Sequence, residues 1–250
     1  MRHKFLSLPK IQNSVKKHII RFLFIALILS CSPTEEELFN EGIKSLEDNQ
    51  FEQSIGYFDR VIQKNPENTS AYNAKGVALF QQGKFDEAIL VFSESIKRDS
   101  TSYKPFFNRG NAYLEKKMYK EALLDYNMAN GLDAMQIDVY YNRGLALLGL
   151  EEYEDAIFDF DFALRENPNQ ALVLFNKAKA QLGNNDPVSA IESLVNTVNL
   201  DNRNGAAYYL LGVTQMSAFG QKEEGCANLK MALSLGFGEA KSWIEDFCQE

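Results

Sequence analysis

The feature that most constrains this chain is self-similarity at a step of 34 residues. From position 42 the step meets Gly42, Gly76, Gly110, Gly144, Ala178 and Gly212. From position 38 it meets Leu38, Tyr72, Phe106, Tyr140, Leu174 and Tyr208. From 51 come Phe51, Phe85, Tyr119 and Tyr153, before the column fails at Pro187 and Gln221. Two further columns hold Ser54, Ala88, Ala122, Ala156, Ala190 and Phe58, Phe92, Tyr126, Phe160, Leu194. A period of this size means one supersecondary unit stacked on copies of itself, because a single unit cannot bury its own apolar face.

Inside each unit the spacing is helical. Tyr72, Gly76 and Leu79 fall at i, i+4 and i+7, and Ala88, Phe92 and Ser95 do the same in the second half. A small residue on one helix facing a large one on the other lets two antiparallel helices approach closely. Each glycine in the column costs about 1 kcal/mol relative to alanine in an exposed helix, so close packing is the implied compensation. Phe158-Asp159-Phe160-Asp161-Phe162 alternates as a strand would, yet Ala156 and Ala163 keep it in helix register. Asn65-Pro66 and Asn167-Pro168 are expected to end second helices, since a residue before proline is biased out of the helical region. Ser100, Ala134 and Asn202 stand where the proline would be, and looser junctions are expected there. The sixth unit is expected to carry one extra loop residue, after which Gly225, Leu229 and Ala232 resume the pattern. Ala240, Trp243, Ile244 and Phe247 then mark a helix that covers the last apolar face. The expected class is an all-α solenoid of about six units over 35–239, with a capping helix in 240–250.

These columns, with Asn108-Arg109-Gly110 and Asn142-Arg143-Gly144, resemble the tetratricopeptide repeat (TPR) in its Asn-Arg-Gly variant. The resemblance implies a concave face lined by the first helices that binds extended peptides or partner helices. It would place Phe39, Asn73, Phe107, Tyr141, Phe175 and Tyr209 there, with Asn40, Asn108, Asn142 and Asn176 alongside. Rings supply contact area and amides hydrogen-bond an extended backbone; the same rings equally suit filling space between successive first helices. The partner-binding residues expected on this basis are Phe107, Asn108, Asn111, Tyr141, Asn142, Phe175, Asn176, Lys179 and Tyr209. A clamp for a C-terminal carboxylate is discounted, because Lys104, Asn108 and Asn111 are separated from Asn176 and Lys179 by two repeats.

Residues 1–30 read as an address. Six basic residues and no acidic one lie in 1–31, and Phe22 to Leu29 form an apolar run well short of the ~20 residues that span a bilayer. That grammar is a secretory signal. Its end, Ile28-Leu29-Ser30-Cys31, resembles the lipobox of bacterial lipoproteins, which implies cleavage and lipid attachment at Cys31; an ordinary signal peptide with an incidental cysteine is the other reading. Residues 31–34 then form a tether, with Ser32 to Thr34 reaching about 10–14 Å at full extension. Ser32 stands where many lipoproteins retained in the inner membrane carry Asp. Glu35-Glu36-Glu37 resembles a surface-export tag, and serves as well as a helix start, with Thr34 and Glu37 as a capping box.

Charge and histidine content narrow the chemistry. Removing the leader's six of 26 basic residues leaves 20 against 34 acidic ones, a net charge of −14. That argues against nucleic acid and anionic lipid as partners. The two histidines, His3 and His18, both lie in the leader, so the body holds no Ser-His-Asp triad, Cys-His pair or His-based zinc site. Gly76 to Lys84 lacks the spacing of a phosphate loop. Glu151, Glu152, Glu154, Asp155, Asp159 and Asp161 read as a solvated helix face. No enzyme, cofactor or metal site is expected. Arg109 and Arg143 share a column, and only their repeats carry Asp sixteen residues on, at Asp125 and Asp159. Two ion pairs within repeats follow, each contributing under about 1 kcal/mol if exposed.

The last two cysteines sit in the register. Ile55, Ile89, Leu123, Ile157 and Ile191 form a column that in the family faces the next repeat's first helix, and Cys226 takes that place in the sixth unit. Cys226 and Cys248 each lie ten residues from the Gly236-Phe237-Gly238 turn, level on an antiparallel pair. A disulfide across the cap is expected in an oxidising compartment, with two buried thiols as the other reading. Taken together, the sequence points to a membrane-anchored protein–protein adaptor of the bacterial cell envelope, resembling outer-membrane TPR lipoproteins. A fixed structural subunit or assembly factor of an outer-membrane or secretion complex is the alternative.

Overall fold

The computed structural model describes residues 32–249; the expected signal segment and Cys31 lie outside the described residues. The chain divides into two compact units, 1–66 and 67–250. The first holds one helical hairpin, α1 (Glu35–Glu47) and α2 (Phe51–Lys64). Thr34 caps α1: its Oγ1 accepts from the Glu37 N–H at 3.1 Å, and the Glu37 carboxylate accepts from the Thr34 N–H at 2.7 Å. Glu35 accepts from Asn65 Nδ2 at 3.0 Å, so two of the three glutamates serve this hairpin.

The second unit repeats the hairpin five times. Its pairs are α3 (Thr69–Gln81) with α4 (Phe85–Arg98), α5 (Tyr103–Glu115) with α6 (Tyr119–Leu132), and α7 (Ile137–Gly149) with α8 (Tyr153–Ala163). Then follow α9 (Ala171–Gly183) with α10 (Pro187–Leu200), α11 (Gly205–Phe219) with α12 (Lys222–Ser234), and a last helix α13 (Ala240–Phe247). Within this unit each helix packs on the next in chain order, the connectivity of an α-solenoid. Among the described residues no helix is long and apolar enough to cross a membrane.

The glycine column exists to seat a ring. A Cβ at Gly76 would lie 2.4 Å from Phe92, at Gly110 2.8 Å from Tyr126, and at Gly144 2.8 Å from Phe160. These three aromatics are fully buried. In the fifth repeat Ala178 replaces glycine, and its facing residue is the smaller Leu194. Backbone closeness and ring size thus change together. A second periodic feature is conformational: Asn49, Gly83, Lys117, Glu151 and Asn185, again 34 apart, are left-handed and turn the chain between the two helices of each repeat.

Three expectations need correction. The extra residue of the sixth repeat is not in a loop. α11 runs 15 residues against 13 in α3, α5, α7 and α9, its connection to α12 is one residue shorter than theirs, and the left-handed position shifts by one, to Gly220 at φ 66°. A helix absorbs an added residue at the gain of a backbone hydrogen bond, and glycine adopts the left-handed cap without Cβ strain. Nor are the proline-free junctions irregular: α4, α6 and α10 each run 14 residues. The short second helix is α8, 11 residues ending at Ala163, four residues before Asn167-Pro168. There the Gln170 side chain donates to Ala163 O at 3.4 Å and Asn167 O at 3.2 Å, the first a carbonyl that a longer helix would have used. Phe247, finally, is 49% exposed, so the cap rests on Ala240, Trp243 and Ile244.

The arginine pairs are buried rather than exposed. Arg109 grips both oxygens of Asp125 at 2.7 Å, and Arg143 does the same with Asp159; the aspartate side chains are 6% and 2% exposed. Each guanidinium also reaches the preceding repeat, Arg109 to Ser93 Oγ at 2.8 Å and Arg143 to Asn127 Oδ1 at 3.1 Å. Three helices from two repeats therefore meet at each arginine. Burial holds the Asp159 carboxyl above its ordinary value against the pull of Arg143. Asp159 thus leaves the solvated acidic face, and Asp161 pairs with Lys177 at 2.6 Å.

The cap is covalently fixed. Cys226 of α12 and Cys248 just past α13 are joined, with Cα atoms 5.7 Å apart. The bond ties α13 over a small core of Leu229, Ala232 and Ala240, flanked by Tyr208, Met216 and Phe237.

Candidate partner-binding face

In the second unit the first helices α3, α5 and α7 touch their counterparts in the next repeat; the second helices α4, α6, α8 and α10 pack no such counterpart closely. The side on which like helices approach is the inner side of the stack. Its residues come from the first helices, spaced i, i+4, i+7 and i+8: Phe107, Asn111, Leu114, Glu115, then Tyr141, Leu145, Leu148, Gly149, then Phe175, Lys179, Leu182, Gly183.

The rings of this face are half-buried. Phe107 tilts against Tyr126 at 6.1 Å between centroids, and Tyr141 against Phe160 at 6.1 Å. Phe175 leans into the cluster around Ala178 and Leu194. Tyr209 meets Phe237 of the cap turn at 5.0 Å. Each ring therefore both fills the core edge and leaves one side open. Lys179, exposed, holds its ammonium 5.9 Å from the Phe175 ring.

Three of the amides expected to face a ligand, Asn108, Asn142 and Asn176, donate to side chains of the preceding repeat. Asn108 Nδ2 donates to Asn73 Oδ1 at 2.9 Å, and Asn176 Nδ2 donates to Tyr141 Oη at 3.2 Å. Both join the same two columns of adjacent repeats. In between, the acceptor position holds Phe107, which has no polar atom. Asn142 Nδ2 turns to Asn111 Oδ1 at 2.9 Å, which also accepts from Tyr126 Oη at 2.8 Å. Asn176 is buried and donates further to Leu172 O at 3.1 Å. A half-buried amide must be satisfied, and the neighbouring repeat supplies its partner. Burial pushes the Tyr141 phenol up, while the Asn176 contact lowers it.

A cavity of about 580 Å³ opens on this side near the turns within repeats three to five. Its walls are Leu114, Leu145 and Leu148, with the rings of Tyr119 and Tyr153. The rings lie across the ends of the neighbouring first helices: a Cβ at Gly149 would stand 2.6 Å from Tyr119, and one at Gly183 2.3 Å from Tyr153. Its charged lining alternates, Glu115 and Glu151 against Lys117 and Lys179. Of the nine expected binding residues, only Asn176 and Lys179 line this cavity. The missed walls were readable, since Leu114, Leu148 and Gly149 lie seven or eight residues after Phe107 and Tyr141 on one helix face. Tyr119 and Tyr153 stood in the sequence only as members of a column.

An α-solenoid of helical hairpins with a lined inner side defines a structural class. One tetratricopeptide repeat model matches residues 39–103 and a second matches 137–170, so these stretches carry TPR repeats. Solved structures share the fold. Pseudomonas aeruginosa pilF superposes with a TM-score of 0.68 at 20% identity, over 83% of this chain and 96% of that one. YrrB, described as a TPR protein with an unusual peptide-binding site, does so at 0.64 and 22% identity, over 71% and 91%. MamA from Desulfovibrio magneticus RS-1 gives 0.64 at 18% identity, over 67% and 94%. No curated protein matches the chain.

Proposed function

We propose that the chain is a lipid-anchored adaptor of the bacterial cell envelope that holds an extended segment of a partner protein on its inner face. The observation that carries the reading is the cavity across repeats three to five. It joins three leucines, two tyrosine rings and charges of both signs on the helices and the turns between them, a lining suited to a peptide with mixed side chains. YrrB, similar in fold, is described as binding a peptide. The leader, the sequence around Cys31 and the three-residue tether support the anchored part of the reading. The anchor and the envelope address rest on the sequence alone.

The test uses exposed side chains, so that the fold is spared. Charge reversal of Lys179 to Glu together with Lys117 to Glu is expected to reduce in-cell crosslinking to the partner at least tenfold. Helicity should be unchanged. Capture at the original level with both reversals would remove this cavity as the partner site.

A further inference from the structure

The second helices carry an apolar column that the fold does not use. Leu90, Leu124 and Phe158, 34 residues apart, occupy one place on α4, α6 and α8 and are 68%, 66% and 59% exposed. Their chain neighbours Ile89, Leu123 and Ile157 turn inward and are half-buried. In the fifth repeat the same place holds an exposed glutamate, Glu192, so the stripe is confined. Isolated exposed leucines are ordinary; three in register on successive helices form a surface.

Because α6 and α8 are not closely packed, a furrow opens between them with a cavity of about 300 Å³. Leu123 and Phe158 form its walls and Leu147 of α7 its floor. The polar atoms at its base, Arg143 and Asp159, already satisfy each other. The base therefore offers apolar contact, with room for one or two side chains rather than a whole small molecule. The rim is acidic. Glu152 and Asp155 stand at its edge, exposed, and neither makes an ion pair among the described residues. Glu121 of α6 and Glu154 of α8 are exposed as well, with Lys120 of α6 at the register place of Glu154.

We propose that this outer face is a second docking surface and that its occupant is a basic amphipathic helix of another protein. The helix would lay its apolar stripe along Leu124 and Phe158, insert one large side chain in the furrow, and set Lys or Arg against Glu152 and Asp155. Charge selects this occupant. A second copy of the chain, at −14 beyond its leader, meets an acidic rim with like charge, as does an anionic lipid surface. A helix fits because its i, i+3, i+4 and i+7 positions present one apolar stripe between basic flanks.

The probe is a synthetic 18-residue peptide of Leu and Lys with leucine at those positions and one photoreactive side chain on the leucine face, mixed with the full-length chain in non-ionic detergent. Crosslinks are expected on α6 and α8, and a matching peptide of Leu and Glu should give at least tenfold fewer. Leu124→Ser with Phe158→Ser, and separately Glu152→Lys with Asp155→Lys, should each cut the yield at least tenfold with unchanged circular dichroism. Crosslinks confined to the inner cavity overturn the proposal, as does equal capture of the Leu/Glu peptide or full yield from either double variant. Self-association that depends on Phe158, or binding to phosphatidylglycerol vesicles that depends on it, would assign the face to those occupants instead.

Discussion

At the scale of single residues, the clearest chemistry is Arg143 between Asp159 and Asn127. The ion pair was legible, because Arg and Asp recur together sixteen residues apart in only two repeats. Its burial was not, because the covering atoms come from the preceding repeat, which a column within one repeat does not contain. Burial changes the expected energetics. Removing one partner of a buried pair strands the other's charge, at a cost of about 3–5 kcal/mol, where an exposed pair would cost little. The effect must also depend on pH. Arg143 now lowers an Asp159 carboxyl that burial raises. With Arg143→Leu only the raising influence remains, so the folded-state value climbs further above the unfolded one. Between those two values the folded chain holds a proton that the unfolded chain has released, and stability falls as pH rises. Arg143→Leu is therefore expected to lose more stability at pH 7 than at pH 4, read from denaturant midpoints at both. An equal loss at both would mean that Asp159 finds another partner.

At the scale of elements, what could be read from sequence was the register and what could not was the length. Glycine opposite ring announced which faces meet, and the structure seats Phe92, Tyr126 and Phe160 against Gly76, Gly110 and Gly144. Helix ends depend on small competitions among caps, such as Gln170 on Ala163, that leave no periodic trace. The left-handed turn is one such end where composition and geometry disagree. Glu151 at φ 63° and Lys117 at φ 57° hold a conformation that glycine takes at Gly83. A side chain there costs roughly 1–2 kcal/mol, partly offset by the greater backbone freedom glycine has when unfolded. Glu151→Gly is expected to raise stability by about 0.5–1 kcal/mol, seen as a higher denaturation midpoint. A lowered midpoint would show that Glu151 makes contacts that outweigh its backbone strain. The cap is the element where sequence spacing and geometry coincide most closely, because ten residues on either side of a turn fix height on an antiparallel pair. Closing a loop of this size stabilises by roughly 3 kcal/mol in the chain-entropy model. In a solenoid that loss stays near its site, since each repeat contacts only its neighbours. Cys248→Ser should speed amide exchange in α13 and α12 while leaving α5 and α6 protected. Exchange that accelerates evenly along the second unit would mean that the repeats unfold as one.

At the scale of the whole molecule, charge and address argue together. The six basic residues of 1–31 sit against a remainder of −14, a separation that suits the proposed leader drawn to a membrane and followed by a body repelled from anionic lipid. Such a body stays at the bilayer only if something holds it, and among the described residues no helix spans a membrane. The α1 helix begins at Glu35 with its capping box closed, which leaves Ser32 to Thr34 as the whole of any tether, at most about 14 Å. A lipid on Cys31 would supply the hold. Each buried methylene contributes about 0.8 kcal/mol, and one acyl chain alone binds marginally, so stable retention takes more than one chain. On the anchored reading proposed above, Cys31→Ala removes the attachment point and leaves the apolar run of 22–29 in place. The variant is expected either to stay uncleaved or to leave the membrane fraction, shown by its mass and by fractionation at high salt. High salt matters because it strips weak electrostatic adsorption and spares acyl insertion. A Cys31→Ala protein cleaved to mature size and still pelleting with membranes would mean that the body is held by a partner rather than by a lipid.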